Sequence, residues 1–217
     1  MKFSTCNEVI KLISQAPNKT SQLDPVPTWI AKEFSNLLAP FITLLFSKSL
    51  DSGQYPQSFK HAVVLPLLKK ENMDPTQLSN YRPVSNLSFL SKLLEKAIAE
   101  RLRQHLKEIN GIPRHQSAYR RGHSTETALL KVINDLLLWA ERGEVTALCL
   151  LDLSAAFDTI DHQLLLTRLK ERFGVIGKAL GWFQSWHGRT YSVRYGTFMS
   201  VSCTYCCLLY TSPSPRD

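Results

Sequence analysis

Residues 150–162 read LLDLSAAFDTIDH, and the run that leads into them, 145–151 (VTALCLL), is almost unbroken apolar sequence. A run of that length without alternation fits a strand buried on both faces of a sheet. It ends at Asp152, so a carboxylate is expected at the mouth of a buried strand. Two small residues, Ala155 and Ala156, the ring of Phe157 and two further carboxylates, Asp158 and Asp161, follow. A hard cation such as Mg²⁺ takes oxygen ligands and often needs only one or two protein carboxylates beside substrate phosphates. Asp158 and Asp161 suit turn and helix-cap positions better than ligation. For Asp152 the residues alone leave a strand-end cap and a metal anchor equally open.

Downstream, Asp161 is placed to cap a helix carrying Leu164, Leu165 and Leu169 that stops at Gly174. The alternation Tyr191, Val193, Tyr195, a Gly196-Thr197 turn and the residues 198–201 predict a hairpin. Upstream, Ser124 is an N-cap for an amphipathic helix through Leu129, Val132, Ile133, Leu136, Leu137 and Ala140, ended by Gly143. Leu90, Leu93, Leu94, Ala97, Ile98, Leu102 and Leu106 recur at helical spacing, and Lys92, Lys96, Arg101, Arg103 and Lys107 take much of the remaining face. HAVVLPLL (61–68) is short, apolar and β-branched, which predicts a strand with Pro66 at an edge or bulge. It runs into Lys69 and Lys70, and 71–86 reads as a loop. Residues 1–55 read as helices over 7–15, 26–33 and 37–50, broken by proline-rich turns.

With 217 residues, 44% hydrophobic and 20% charged, the chain can bury a core of one or two domains, and its ordinary Gly and Pro usage excludes collagen-like and low-complexity classes. The longest mostly apolar run, 37–46, is interrupted by Pro40 and falls short of the ~20 residues of a bilayer span. The N-terminus holds no unbroken signal-type segment. An intracellular protein, cytoplasmic or nuclear and without a membrane partner, is expected. Five irregularly spaced cysteines fit a reducing compartment, and the cluster Cys203, Cys206, Cys207 lacks the second Cys or His pair of a structural zinc site. Metalloprotease, serine-hydrolase, P-loop and dinucleotide fingerprints are all missing. The net charge is +8, and +7 of it arises between Lys60 and Lys131, where 13 Lys and Arg face six acids. A polyanion surface therefore belongs to the middle of the chain.

In order along the chain, LDPVPTWIAKEF (23–34), HAVVLPLLKK (61–70), NYRPVSNLSFLSKLLEKAIAERL (80–102), HQSAYRRGHSTETALL (115–130) and the segment 150–162 resemble successive blocks of the reverse transcriptases of non-LTR (LINE-type, CR1/L2-like) retrotransposons. The resemblance implies an α/β (α+β) right-hand polymerase, helix-rich with a partial antiparallel sheet. A helical extension of the fingers would occupy 1–55, the fingers 56–143, a partial palm 144–202 and an unstructured tail 203–217. Asp152 matches the catalytic aspartate that holds Mg²⁺ (or Mn²⁺), with the carbonyl of Leu153 as a further ligand. Two such ions activate a primer 3′-hydroxyl and neutralise phosphate charge during in-line displacement. Phe157 matches the ring that blocks a nucleotide 2′-hydroxyl, and the backbone of Ala155 and Ala156 would pass beneath the triphosphate. Lys69 or Lys70 and Arg82 match a basic pair gripping that triphosphate, the Arg by a two-point fork and the Lys as a mobile charge. Arg120 and Arg121 would lie along the template, with Gly122 permitting close approach. The implied partners are an RNA template, a DNA primer and deoxynucleoside triphosphates.

Beyond the block WFQSWHGRTYSV (182–193) the family pattern continues into a Gly-Val-Pro-Gln-Gly type turn and a Tyr-x-Asp-Asp hairpin. This chain instead runs TYCCLLYTSPSPRD from 204 and contains neither. One carboxylate against two cations and a triphosphate leaves the metals under-coordinated, so the chain alone is expected not to polymerise DNA. The alternative expectation is a non-catalytic RNA or single-strand-binding module, whose affinity would fall linearly with log salt.

Overall fold

The helical core forms where the apolar periodicity places it. α1 (Cys6–Ser14) buries Val9 and Ile13, one turn apart on one face. α2 (Thr28–Glu33) leads through Phe34 into α3 (Ser35–Ser52), which buries Ala39, Ile42, Phe46 and Leu50. α4 (Phe89–Glu108) presents Leu93, Leu94, Ala97 and Ile98 to the same cluster, joined by Tyr55, Phe59 and Trp182. Gly53 ends α3 in the left-handed region at φ +66°, and a Cβ there would stand 2.8 Å from the carbonyl oxygen of Lys178. Both the turn and the close approach of the neighbouring backbone therefore call for glycine.

The computed structural model describes residues 5–151 and 160–204. Of these, 5–103 and 160–204 make one compact unit and 104–151 another. In the first unit β1 (His61–Leu68) pairs antiparallel with β2 (Tyr81–Asn86) and parallel with β3 (Thr190–Tyr195). β3 turns through Gly196 (φ +59°) and Thr197 into β4 (Phe198–Met199), the hairpin that the alternation predicts. β5 (Cys203–Thr204) folds back on the start of β3, so these two residues, expected to open an unstructured tail, are strand. The order is β2-β1-β3-β4. The fold is thus mixed α/β, but its sheet is not wholly antiparallel.

Pro66 and Pro83 face each other across the β1–β2 ladder. In an antiparallel pair, opposite residues exchange either both N–H···O bonds or neither. The amide of Lys69 donates to the carbonyl of Asn80 at 2.9 Å, which puts 69/80, 67/82 and 65/84 in the bonded set and the two prolines in the other. Neither proline costs the pair a bond, and Pro66 lies beyond Val64, where the pairing with β3 ends. The edge position expected for Pro66 is met on its β3 side.

β2 replaces part of the expected loop, because Arg82, Pro83 and Ser85 hide its alternation. α6 (His162–Glu171) begins as expected, with Asp161 accepting from the amide of Leu164 at 2.9 Å, and Gly174 follows it at φ +65°. α7 (Gly177–Trp186) is not foreshadowed by the sequence reading. Its two glycines argue against a helix, and it is held by burial of Trp182. Leu166, Leu169 and Val175 form a second small core with Leu180.

In the second unit, α5 (Thr125–Glu141) carries the expected Ser124 cap, whose side chain accepts from the Thr127 amide while the Thr127 hydroxyl accepts from the Ser124 amide. The expectation for 145–151 is overturned. These residues form no strand and are exposed, Val145 fully and Leu151 at 90%. Cys149, expected to pack as a small hydrophobe, is exposed too. A strand buried on both faces needs a ladder on each side, and among the described residues nothing pairs with this run. α5 likewise buries none of its residues.

Candidate functional site

The β1–β2 ladder positions the basic residues singled out for phosphate binding. Side chains alternate across a strand and directly opposite residues share a face. Arg82 stands opposite Leu67, and Lys69 opposite Asn80, so Lys69 and Arg82 lie two residues apart along one face of the hairpin. Both are exposed. Lys69 Nζ donates to the carbonyl of Ser79 at 2.8 Å, which leaves two of its three protons available. Arg82 has no acidic partner among the described residues. Lys70 follows the strand, is exposed, and its carbonyl accepts from the Met73 amide at 3.2 Å.

The connection between the strands is tied down by Asp74. Its Oδ1 accepts from the amide and the hydroxyl of Thr76 at 2.9 and 2.7 Å, its carbonyl accepts from Asn80 Nδ2 at 2.9 Å, and Tyr81 OH donates to the Pro75 carbonyl at 3.0 Å. The Thr76 hydroxyl and amide hold the Asp74 carboxyl below its ordinary range. This connection therefore keeps a fixed anion at the far end of the hairpin from the core.

Arg120, Arg121 and Gly122 lie in the second unit, in the segment before α5. Arg120 Nη1 donates to the carbonyl of Arg114 at 3.2 Å, and Arg121 is exposed. Gly122 sits at φ +77° with open space where a Cβ would be, so its backbone angle rather than a close approach within the protein calls for glycine. Tyr119, 67% exposed, holds φ +59°, a left-handed angle that a bulky side chain rarely adopts and that the sequence does not announce. Asp152, Leu153, Ala155, Ala156 and Phe157, and with them Asp158, lie outside the described residues. Among the described residues no three His, Cys, Asp or Glu side chains gather as a metal site.

The sequence reading misses the polar network behind the sheet. Arg189, just before β3, forms an ion pair with Glu95 of α4, their side chains 11% and 20% exposed. Glu95 Oε1 also accepts from Tyr55 OH at 2.9 Å and from Trp186 Nε1 at 3.2 Å. The guanidinium lies 4.4 Å over the ring of Trp186 and 5.3 Å over that of Tyr55. Burial and the Glu95 charge push the Tyr55 hydroxyl far above its ordinary range, so it stays a donor. The network anchors β3, and through it β1, to the helical core. Its signal was legible: Glu95 falls on the apolar face of α4 with Ser91, Leu94 and Ile98, and a carboxylate there demands partners.

Beside it, His187 stacks on His162 of α6, ring centroids 4.2 Å apart. Burial first, then the charges of His162 and Arg189, lower the His187 pKa from 6.5 to about 4. The unfolded chain therefore binds this proton more readily than the folded one between those values, and stability is full above pH 6.5 and declines as the pH falls toward 4. We expect the urea midpoint to drop between pH 7 and pH 5, and the drop to shrink in His187→Gln. An equal drop in that variant would assign the acid sensitivity elsewhere.

Residues 68–205 match the family model described as reverse transcriptase (RNA-dependent DNA polymerase). The chain is 31% identical over 170 residues to the RNA-directed DNA polymerase from mobile element jockey of Drosophila melanogaster, covering 78% of this chain and 18% of that protein. It is 27% identical over 205 residues to the probable RNA-directed DNA polymerase from transposon X-element of the same fly, covering 92% and 22%. To the transposon TX1 149 kDa protein of Xenopus laevis it is 33% identical over 168 residues, covering 76% and 12%. The chain thus spans about a fifth or less of the length of these relatives.

Proposed function

Because this chain belongs to the reverse transcriptase (RNA-dependent DNA polymerase) family, with relatives among non-LTR retrotransposons, we propose that it is the part of such an enzyme that receives the incoming deoxynucleoside triphosphate and the RNA template, acting inside the cell. The observation that carries this reading is the placement of Lys69 and Arg82 on one face of the β1–β2 ladder, exposed and without an acid against Arg82 among the described residues. An exposed guanidinium fork and a mobile ammonium on a rigid two-stranded support can hold phosphate oxygens in a set orientation. Lys70 adds a third positive charge at the strand end. Arg120 and Arg121 supply phosphate contacts along a single strand, which position without reading sequence.

Asp152 is the carboxylate we assign to Mg²⁺, and the ion when bound would activate the primer hydroxyl and offset phosphate charge. In this proposal the fingers bind and orient, while turnover requires the Asp-Asp pair that residues 1–217 do not contain. The purified chain is therefore expected to give no Mg²⁺-dependent primer extension.

Binding provides the positive test. Arg82→Ala is expected to weaken binding of a deoxynucleoside triphosphate by about 10- to 100-fold, the size of two charge-assisted hydrogen bonds. Arg120→Ala and Arg121→Ala should each reduce the slope of log affinity for single-stranded RNA against log salt by about 0.7. Triphosphate affinity indifferent to Arg82, or RNA affinity indifferent to salt, would refute the reading.

A further inference from the structure

The side of α3 turned away from the core carries a second apolar stripe. Phe34, Leu37, Phe41 and Leu44 stand three, four and three residues apart and are 49%, 65%, 67% and 57% exposed. Leu45, and Trp29 of α2, flank them. The buried residues Ile42, Phe46 and Ala39 occupy the opposite side of the same helix. Alternating three-four spacing is the seam of a helix pair. All six are between 37% and 67% exposed, an apolar face on the scale of a protein interface. An apolar patch of that size on a water-facing helix marks an interaction surface.

The charges around the stripe narrow what can cover it. No charged residue interrupts the stretch from Phe34 to Ser47, and the nearest ones stand at its two ends: Glu33 just before Phe34, and Lys48 one turn beyond Leu44. Both are exposed, and neither is paired among the described residues. Positions 33 and 48, like 37 and 44, lie symmetrically about the point between Pro40 and Phe41. A second helix with the same seam, laid antiparallel and centred between Pro40 and Phe41, sets Leu37 against Leu44 and brings each Glu33 to a Lys48. A parallel arrangement would instead bring like charges together at both ends.

We propose that two copies of this chain associate through this stripe as an antiparallel α3 pair, with the two-fold axis between Pro40 and Phe41, so that the two Phe41 rings lie beside it, and Glu33 of each copy beside Lys48 of the other. The surface is then its own complement, as a two-fold interface requires. The proposal is independent of the triphosphate and template assignment, because it uses none of those residues.

Light scattering on the full chain after size exclusion is the test. The expected mass is twice the 24.7 kDa of one chain, and Phe41→Glu is expected to return it to that of one chain, with an unchanged circular dichroism spectrum because the ring is outside the core. Glu33→Lys should weaken the dimer about tenfold or more, and adding Lys48→Glu should restore it, since the reversed pair regains its match. The charge pair decides the matter even if Phe41→Glu misfolds. A mass of one chain at every concentration, association untouched by Phe41→Glu in a folded variant, or a double reversal no better than the single would each overturn the proposal. The last two outcomes would hand the apolar stripe to a different occupant.

Discussion

Replacing Arg189 by Ala is expected to cost about 3–5 kcal/mol of folding stability, because it strips the counter-charge from a mostly buried carboxylate. Among the described residues Glu95 would be left with the Tyr55 and Trp186 donors, both neutral. The Arg189 guanidinium also lies over the rings of Trp186 and Tyr55, so its loss removes packing as well as charge. Glu95→Gln can keep an acceptor toward Tyr55 but leaves the guanidinium, the more buried partner, without its counter-charge, so it should cost a similar amount. The double variant should cost less than the two single losses together, the sign of direct coupling. Urea unfolding of the three variants measures all of this. A loss under about 1 kcal/mol for Arg189→Ala, the size typical of an exposed pair, would show that the ion pair does not anchor β3.

Phe46→Ala should be comparably severe, about 3–5 kcal/mol, from lost transfer energy together with a cavity that the helices around it cannot fully close. Phe46 is completely buried in the cluster built by α1, α3 and α4. Leu78→Ala is the matched control, since Leu78 is 88% exposed on the strand connection and should shift stability by no more than about 0.5 kcal/mol. Comparable losses at the two positions would mean that α3 buries a different face. That outcome would also bear on the dimer surface, which depends on Phe46 and Phe41 pointing to opposite sides.

Local physics made much of this molecule legible in advance. α1, α4, α5 and α6 follow from three- and four-residue apolar spacing with Ser124 and Asp161 as caps, and β1 from a β-branched run whose ends match the structure residue for residue. The turn at Gly196-Thr197 follows from glycine's access to positive φ. Lys69 and Arg82 could be named as candidates from their blocks, but their sharing of one face depends on a register that the sequence does not state.

What only the tertiary structure decided are the features that rest on distant partners. β1 pairs with β3 across about 130 positions of chain, in parallel, and no local pattern encodes that choice. Arg189 reads as an ordinary basic residue until the fold brings Glu95 to it. Residues 145–151 show the converse: their composition asks for a buried strand, yet a strand exists only where a neighbouring strand takes up its N–H and C=O groups, and none of the described residues does. Propensity, caps and periodicity act within a few residues and are written in the chain itself. Pairing, burial and charge compensation are properties of two segments at once, and so appear only when both are in place.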